Sequence, residues 1–121
     1  FRRGLSSLPG VIVPSAGKPG NHIFQSYVLR LDPAIDRDAT IRSLRTEGIE
    51  TTLGTYALHA QPAYQKDGRY QTGDLPNSLQ AYHHTLTLPM YHELDKPEID
   101  RIVNSLRTAI MAQVSRARMA A

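Results

Sequence analysis

The chain has 121 residues, 40% of them hydrophobic and 21% charged, and 14 Lys and Arg against 11 Asp and Glu give a formal net charge of +3. That length suits one domain, the apolar share suffices for one core, and so balanced a charge excludes an intrinsically disordered chain. With no cysteine, disulfides and thiolate chemistry are excluded, which fits a reducing cytoplasm, and no apolar run approaches the roughly 18 residues of a membrane helix.

Residues 1–9 read as the tail of a helix or as a linker. The basic start, Arg2 and Arg3, precedes only a mildly apolar stretch broken by Pro9, Gly10 and Pro14, so no signal-peptide core forms. The first residue is Phe1 rather than Met, as expected of a piece of something longer. Gly and Pro dominate from Gly10 to Gly20 and mark turns. The run His22 to Leu31 then places Ile23, Tyr27, Leu29 and Leu31 on one parity and Phe24 and Val28 on the other. Both faces are partly apolar, which predicts a central strand with some cover on each side.

Asp36 is placed to cap a helix running to about Glu47, with Ile41 and Leu44 on one face. Gly48 fits the left-handed residue that ends it, and Ile49 against Leu44 would complete a Schellman ending. Glu50 to Leu53 reads as a short β-branched strand. The twenty residues from Gly54 to Gly73 follow, with neither helical nor strand period. They carry Tyr56, Tyr64 and Tyr70, three of the six tyrosines, with His59, Gln61 and Gln65. A loop of that length is either functional or disordered, and disordered segments are poor in aromatics. The expectation is an ordered surface for something flat, polar or both.

Asp74 is a candidate cap for the next helix, with Pro76 in its first turn and a Leu75, Leu79, Tyr82 stripe. Thr85 to Leu88 alternates and stops at Pro89, as a brief strand does. Asp95 and Glu98 make a capping box with aspartate as the first member. Ile99, Ile102, Val103, Leu106 and Ile110 then recur at helical spacing, giving a long amphipathic helix to about Gln113. The last residues are expected to fray. The fold class is therefore α+β: a small antiparallel or mixed sheet of three to four short strands covered by helices. The expected division is a linker or helix end over 1–20, a domain over 21–115 and a tail over 116–121.

Candidate chemistry is sparse. The five histidines are His22, His59, His83, His84 and His92. His83 and His84 are adjacent and point to different helix faces, and no well-spaced carboxylate completes a site, so no metal is expected. There is no G-x-S-x-G elbow and no glycine-rich phosphate cradle. Lys18, Lys66 and Lys96 each stand beside Pro, Gly or Asp, not in the apolar setting a Schiff-base lysine needs. The arginines, among them Arg37, Arg42, Arg45, Arg101, Arg107, Arg116 and Arg118, read as solvated helix faces rather than a nucleic-acid footprint. On spacing alone His59 is either a loop-packing residue or a ligand contact, and Tyr56 and Tyr64 are either hydrophobic plugs or contacts.

Gly48–Tyr64 (GIETTLGTYALHAQPAY), Gly73–Ser78 (GDLPNS) and Leu86–Leu94 (LTLPMYHEL) together resemble the C-terminal small domain of the DegT/DnrJ/EryC1/StrS aminotransferases. His22–Pro33 is similar to the strand that opens that domain, and Arg37–Glu50 to its first helix. The resemblance covers about residues 8 to 110 and implies a fold-type-I enzyme using pyridoxal phosphate to transaminate a keto sugar on a nucleotide, with an amino-acid donor such as glutamate. It also implies a homodimer, a cytoplasmic location and a partnership with the protein's own large N-terminal domain. That large domain would bear the aldimine lysine and the acid that pairs with the pyridine nitrogen. No catalytic residue and no bound cofactor are then expected in this chain, which would be inactive alone. The positions matching the family's nucleotide-sugar loop are Tyr56, His59 and Gln61. The sequence departs from the family pattern at Gly54-Thr55, at His83-His84 and at His92. Two other readings compete: a free-standing α+β small-molecule-binding or regulatory module, and a basic nucleic-acid binder.

Overall fold

A computed structural model describes residues 1–17, 23–66, 68–71 and 73–120. Lys18 and the expected strand start at His22 lie outside the described residues. The elements are α1 (Arg2–Leu5), β1 (Val11–Ile12), β2 (Tyr27–Leu31), α2 (Arg37–Thr46), β3 (Thr52–Leu53), α3 (Pro62–Gln65), α4 (Pro76–His84), β4 (Thr85–Leu88) and α5 (Lys96–Ala120), with a 3-10 turn at Leu58–Ala60. The four strands form one antiparallel sheet in the order β1-β2-β4-β3. The α+β class with a small helix-covered sheet is thus borne out.

Strand alternation decides which face is buried. Tyr27 lies opposite Leu88, Leu29 opposite Leu86 and Leu31 opposite Val11, so these six side chains share the inner face. All six are buried, in one cluster with Leu5, Leu8, Ile35, Leu44, Ile49, Ile102, Val103, Leu106 and Ile110. Fully burying a side chain such as Leu29 or Leu106 is worth about 1.5–3 kcal/mol. The opposite parity carries Ile12, Val28, Arg30, Thr85 and Thr87, and this outer face is only partly covered. β2 is central, as its mixed parity predicts.

Helix α2 has the ends its sequence predicts. The Asp36 carboxylate accepts the Ala39 N–H at 2.8 Å. At the other end Ile49 N–H reaches the Leu44 carbonyl and Gly48 N–H the Arg45 carbonyl, both at 3.0 Å, with Gly48 at φ +72°. Gln113 of α5 bonds both to the Asp36 backbone and to Thr40, and Arg101 donates to the Glu47 carbonyl at 2.8 Å. Polar contacts therefore hold α2 along α5 at both of its ends. The capping box of α5 forms as expected, Glu98 N–H to Asp95 at 2.9 Å and Asp95 N–H to Glu98 at 3.3 Å.

Four differences from the sequence expectation have local causes. The strand expected from His22 pairs only from Tyr27 onward, because Phe24 takes φ +46° and breaks the extended run. The first segment, expected as a linker or a helix end, contributes β1 as well as the short helix α1, and Leu5, Leu8 and Val11 enter the core. Asp74 does not cap α4: its carboxylate accepts the Gln71 N–H at 2.7 Å, and Leu75 stands at the cap position without a side-chain bond. Helix α5 continues to Ala120, beyond the end of its apolar period at Gln113.

Among the described residues Tyr27, Thr51 and His84 each bury a side-chain polar atom without a hydrogen-bond partner, and Tyr27 is the one set in the core. Its ring packs with Phe1 and Phe24, centroids 5.1 and 5.9 Å away, and its hydroxyl finds no partner among the described residues. Burial pushes the phenol above its ordinary 10.0, opposed in part by Arg2. A raised folded value means full stability below about pH 10 and a loss as pH climbs from there through the folded value. Tyr27→Phe is expected to leave neutral-pH stability equal or about 1 kcal/mol higher, since it deletes an unpaired buried hydroxyl. It should also flatten the alkaline loss, as checked by urea denaturation of both proteins at about pH 8 and about pH 11. A lower stability at neutral pH would show that the hydroxyl has a partner.

Candidate functional site

The loop from Gly54 starts with a steric requirement. A Cβ on Gly54 would lie 2.4 Å from Thr85 Oγ1 and 2.6 Å from a methyl of Val28, so only glycine lets the chain leave β3 this close to the sheet. Gly54 N–H bonds the Thr85 carbonyl at 3.1 Å and fixes the direction in which the loop sets out. Ala57 is fully buried, the 3-10 turn follows, and Pro62 opens the one-turn α3. These turns are too short to produce a readable period, which is why the sequence showed none.

The three candidate residues are not presented alike. Tyr56 is 61% exposed and stands at the start of the loop. His59 is 5% exposed, its ring turned into the protein by the 3-10 turn. Gln61 is half-buried, precedes α3 and donates from Nε2 to the Ala57 carbonyl at 3.4 Å, a weak bond. Of the three, Tyr56 alone offers most of its side chain to solvent. Leu58, Tyr64 and Tyr70 on the same loop are also exposed.

Tyr56 does not stand by itself. Its ring centroid lies 6.0 Å from that of Tyr82 on α4, with 30° between the planes. The Arg37 guanidinium sits 5.8 Å from the Tyr82 centroid, and Nη1 of Arg37 donates to the Tyr82 carbonyl. Nε of Arg37 donates to Asp38 at 2.7 Å. Arg37 is 7% exposed, so its charge is desolvated and its geometry set by these partners. The His83 ring completes the cluster, 5.1 Å from Tyr82. The result is a cation, two phenols and an imidazole joined across α2, α4 and the loop. Arg37 read from sequence as a solvated cation. Its Tyr82 partner lies 45 residues away, so no local signal pointed to it.

A surface of this kind can stack on a flat group and hydrogen-bond a hydroxyl or an anion. It holds no evident nucleophile or Schiff-base group. Lys66 is exposed, and Lys96 is exposed and bridged to Asp100. Neither described lysine has the desolvated setting that aldimine chemistry needs. Among the described residues no group of three His, Asp or Glu is placed to hold a metal ion.

The chain has clear relatives. The profile of the DegT/DnrJ/EryC1/StrS aminotransferase family matches residues 1–107, and the chain belongs to that family. It is 29% identical over 114 residues to the spore coat polysaccharide biosynthesis protein SpsC of Bacillus subtilis strain 168, a match covering 91% of this chain and 29% of that protein. Among solved structures it is similar to the aminotransferase TlmJ from Streptoalloteichus hindustanus, with 30% identity, a TM-score of 0.78, and coverage of 93% of this chain and 30% of that one. It is also similar to DesI, whose structure was determined in the presence of its TDP-sugar product, with 25% identity, a TM-score of 0.79, and coverage of 99% and 31%. The chain thus spans about three tenths of the length of these relatives.

Arg37→Gln tests the aromatic cluster. Loss of the charged bond to the Tyr82 carbonyl and of the ring contact is expected to cost about 1.5–3 kcal/mol. Amide exchange should quicken across Pro76–His84 more than across α2, measured by hydrogen–deuterium exchange with mass spectrometry. An unchanged exchange pattern in α4 would show that Arg37 does not hold it.

Proposed function

We propose that this chain is the C-terminal small domain of a parent enzyme that transfers an amino group from a donor such as glutamate to a keto sugar carried on a nucleotide. The observation that carries this reading is the family match over residues 1–107. The relative DesI, with its TDP-sugar product, supports a nucleotide-linked sugar as the substrate class. Pyridoxal phosphate supplies the electron sink for such chemistry. The lysines described in this chain do not fit that cofactor, so no chemical step is assigned to residues here. The cofactor is instead held mainly by the large N-terminal domain of the parent, and the chain alone does not transaminate. The parent works in the cytoplasm as a homodimer.

In this reading the chain's work is to bind and to exclude water. Tyr56, backed by Tyr82, packs on the flat base or hydrogen-bonds the sugar diphosphate. Gln61 offers its carboxamide to a hydroxyl or phosphate oxygen. His59, turned inward, acts from behind by setting the path of the loop.

The test is to express the parent reading frame and measure transamination of keto-sugar nucleotides with glutamate. Tyr56→Ala is expected to raise KM about tenfold, a loss of about 1.4 kcal/mol of binding, and to lower kcat only if the contact tightens in the transition state. The 121-residue chain supplied with pyridoxal phosphate should show no turnover. Turnover by that chain alone, or a Tyr56→Ala parent with unchanged KM, would overturn the assignment.

A further inference from the structure

Tyr56 has a fixed backbone and an open side chain. Gly54, just upstream, bonds the Thr85 carbonyl at 3.1 Å and has no room for a side chain of its own. Ala57, directly after Tyr56, is fully buried. What remains to be set is the direction of the Tyr56 side chain, which is 61% exposed. Its ring meets that of Tyr82, centroids 6.0 Å apart, inside the span of aromatic pairs. Tyr64 and Tyr70, exposed on the same loop, meet no ring among the described residues.

Tyr82 is in turn set by Arg37. The Tyr82 carbonyl lies in the last turn of α4, where carbonyls have no partner within the helix, and Nη1 of Arg37 donates to it. The same guanidinium stands 5.8 Å from the Tyr82 ring centroid, within cation–π range. One buried cation therefore holds both the backbone and the ring of Tyr82. Thr85 closes the arrangement. Its carbonyl holds Gly54 and its hydroxyl donates to the Ala81 carbonyl, so the loop and the end of α4 share one anchor. A cluster made only for packing would bury Tyr56 as well. Here the support is buried and the supported ring is open.

We propose that Arg37 is a positioning residue for a nucleobase: through Tyr82 it holds the Tyr56 ring as a ready stacking surface, and so sets affinity for the base without touching it. This rests on the reading of Tyr56 as the residue that packs on the base. An exposed tyrosine free to sample several rotamers loses that freedom when a flat group stacks on it, at a cost to binding. Arg37 and Tyr82 impose that loss during folding, before the ligand arrives. The Arg37 guanidinium is engaged by Asp38 and by the Tyr82 carbonyl, so it is not offered to the diphosphate. Its effect therefore falls on the base and not on the phosphates.

The test measures binding to the full-length protein that carries this chain by isothermal titration calorimetry. The probes are thymidine, uridine, cytidine and guanosine 5′-diphosphates and inorganic pyrophosphate, and the tightest nucleotide is carried through the variants. Arg37→Lys keeps the charge but not the planar fork that reaches the ring, the carbonyl and Asp38 together. It should weaken that nucleotide about fivefold and leave pyrophosphate unchanged. In turnover it should raise KM for the nucleotide sugar by a similar factor with kcat unchanged. Tyr82→Leu spares the carbonyl bond and removes the ring, and it should have the same effects, which keeps the test open if Arg37→Lys does not fold. Added to Tyr56→Ala, either change should cost less than about twofold more, because the ring it would position is gone. Three results would overturn the proposal and leave Tyr56 as the base contact: nucleotide binding unweakened in both variants, pyrophosphate weakened as much as the nucleotide, or full additivity with Tyr56→Ala. Unchanged nucleotide binding in Tyr56→Ala, or no nucleotide bound more tightly than pyrophosphate, would remove the reading of Tyr56 itself and the proposal with it.

Discussion

The two-residue alternation along β2 is the constraint on which the rest of the molecule depends. Tyr27, Leu29 and Leu31 must all face one way, and the antiparallel register puts Leu88, Leu86 and Val11 beside them. A slip of one residue would send all of them to solvent. With the inner face fixed, α5 has one stripe to offer it, Ile102, Val103, Leu106 and Ile110. Helix α2 is then held on α5 by Gln113 at its start and Arg101 at its end. Even α1 follows, since Gly4 lies so close to Val103 that a Cβ there would stand 2.7 Å from its methyl.

The same alternation leaves an outer face that the chain does not fill with apolar side chains. Val28 and Thr85 on that face define the space that Gly54 must pass through, so the loop leaves where only glycine fits. Arg30 and Asp32 reach the outer face because Leu29 and Leu31 take the inner one. The exposed chemistry of the protein is thus a consequence of its core and not an addition to it. Arg37 works in a similar way. As the first residue of α2 it is placed by the Asp36 cap, and from there its guanidinium meets Tyr82 and fixes α4 beside the loop.

Features that close within a few residues were legible in the sequence. Asp36 with Ala39, Gly48 and Ile49 with Leu44, and Asp95 with Glu98 each involve partners three to five positions apart, and all form as read. Features set by distant partners were not legible. Val11 and Ile12 are a strand only because Leu31 and Arg30 pair with them, and two residues among Gly and Pro carry no period of their own. Asp74 looked like a cap from its position, but the Gln71 N–H competes for its carboxylate. The α4 stripe is covered only in part, Leu79 and Tyr82 being half-buried and Leu75 exposed, because what covers Tyr82 comes from Arg37 and Tyr56 far away in sequence. Spacing could not say that Tyr56 would face out and His59 in, because the 3-10 turn that separates them has no sequence period.

Helix α4 joins the two exposed surfaces. Asn77, Gln80 and His84 on one side of it line an open cavity with Arg30 and Asp32, while Tyr82 lies beside Tyr56. It is tied near its C-terminus by Thr85 Oγ1 donating to the Ala81 carbonyl and by Arg37 on the Tyr82 carbonyl. Among the described residues neither surface includes a lysine. The family's frame is present over residues 1–107, yet the lysines described here are solvated cations at Lys66 and Lys96. The matched residues take in the sheet, most of its helices and the glycine-gated loop. A shared frame does not carry chemistry with it, since chemistry is a property of particular side chains in particular settings, and this chain spans about three tenths of its relatives' length.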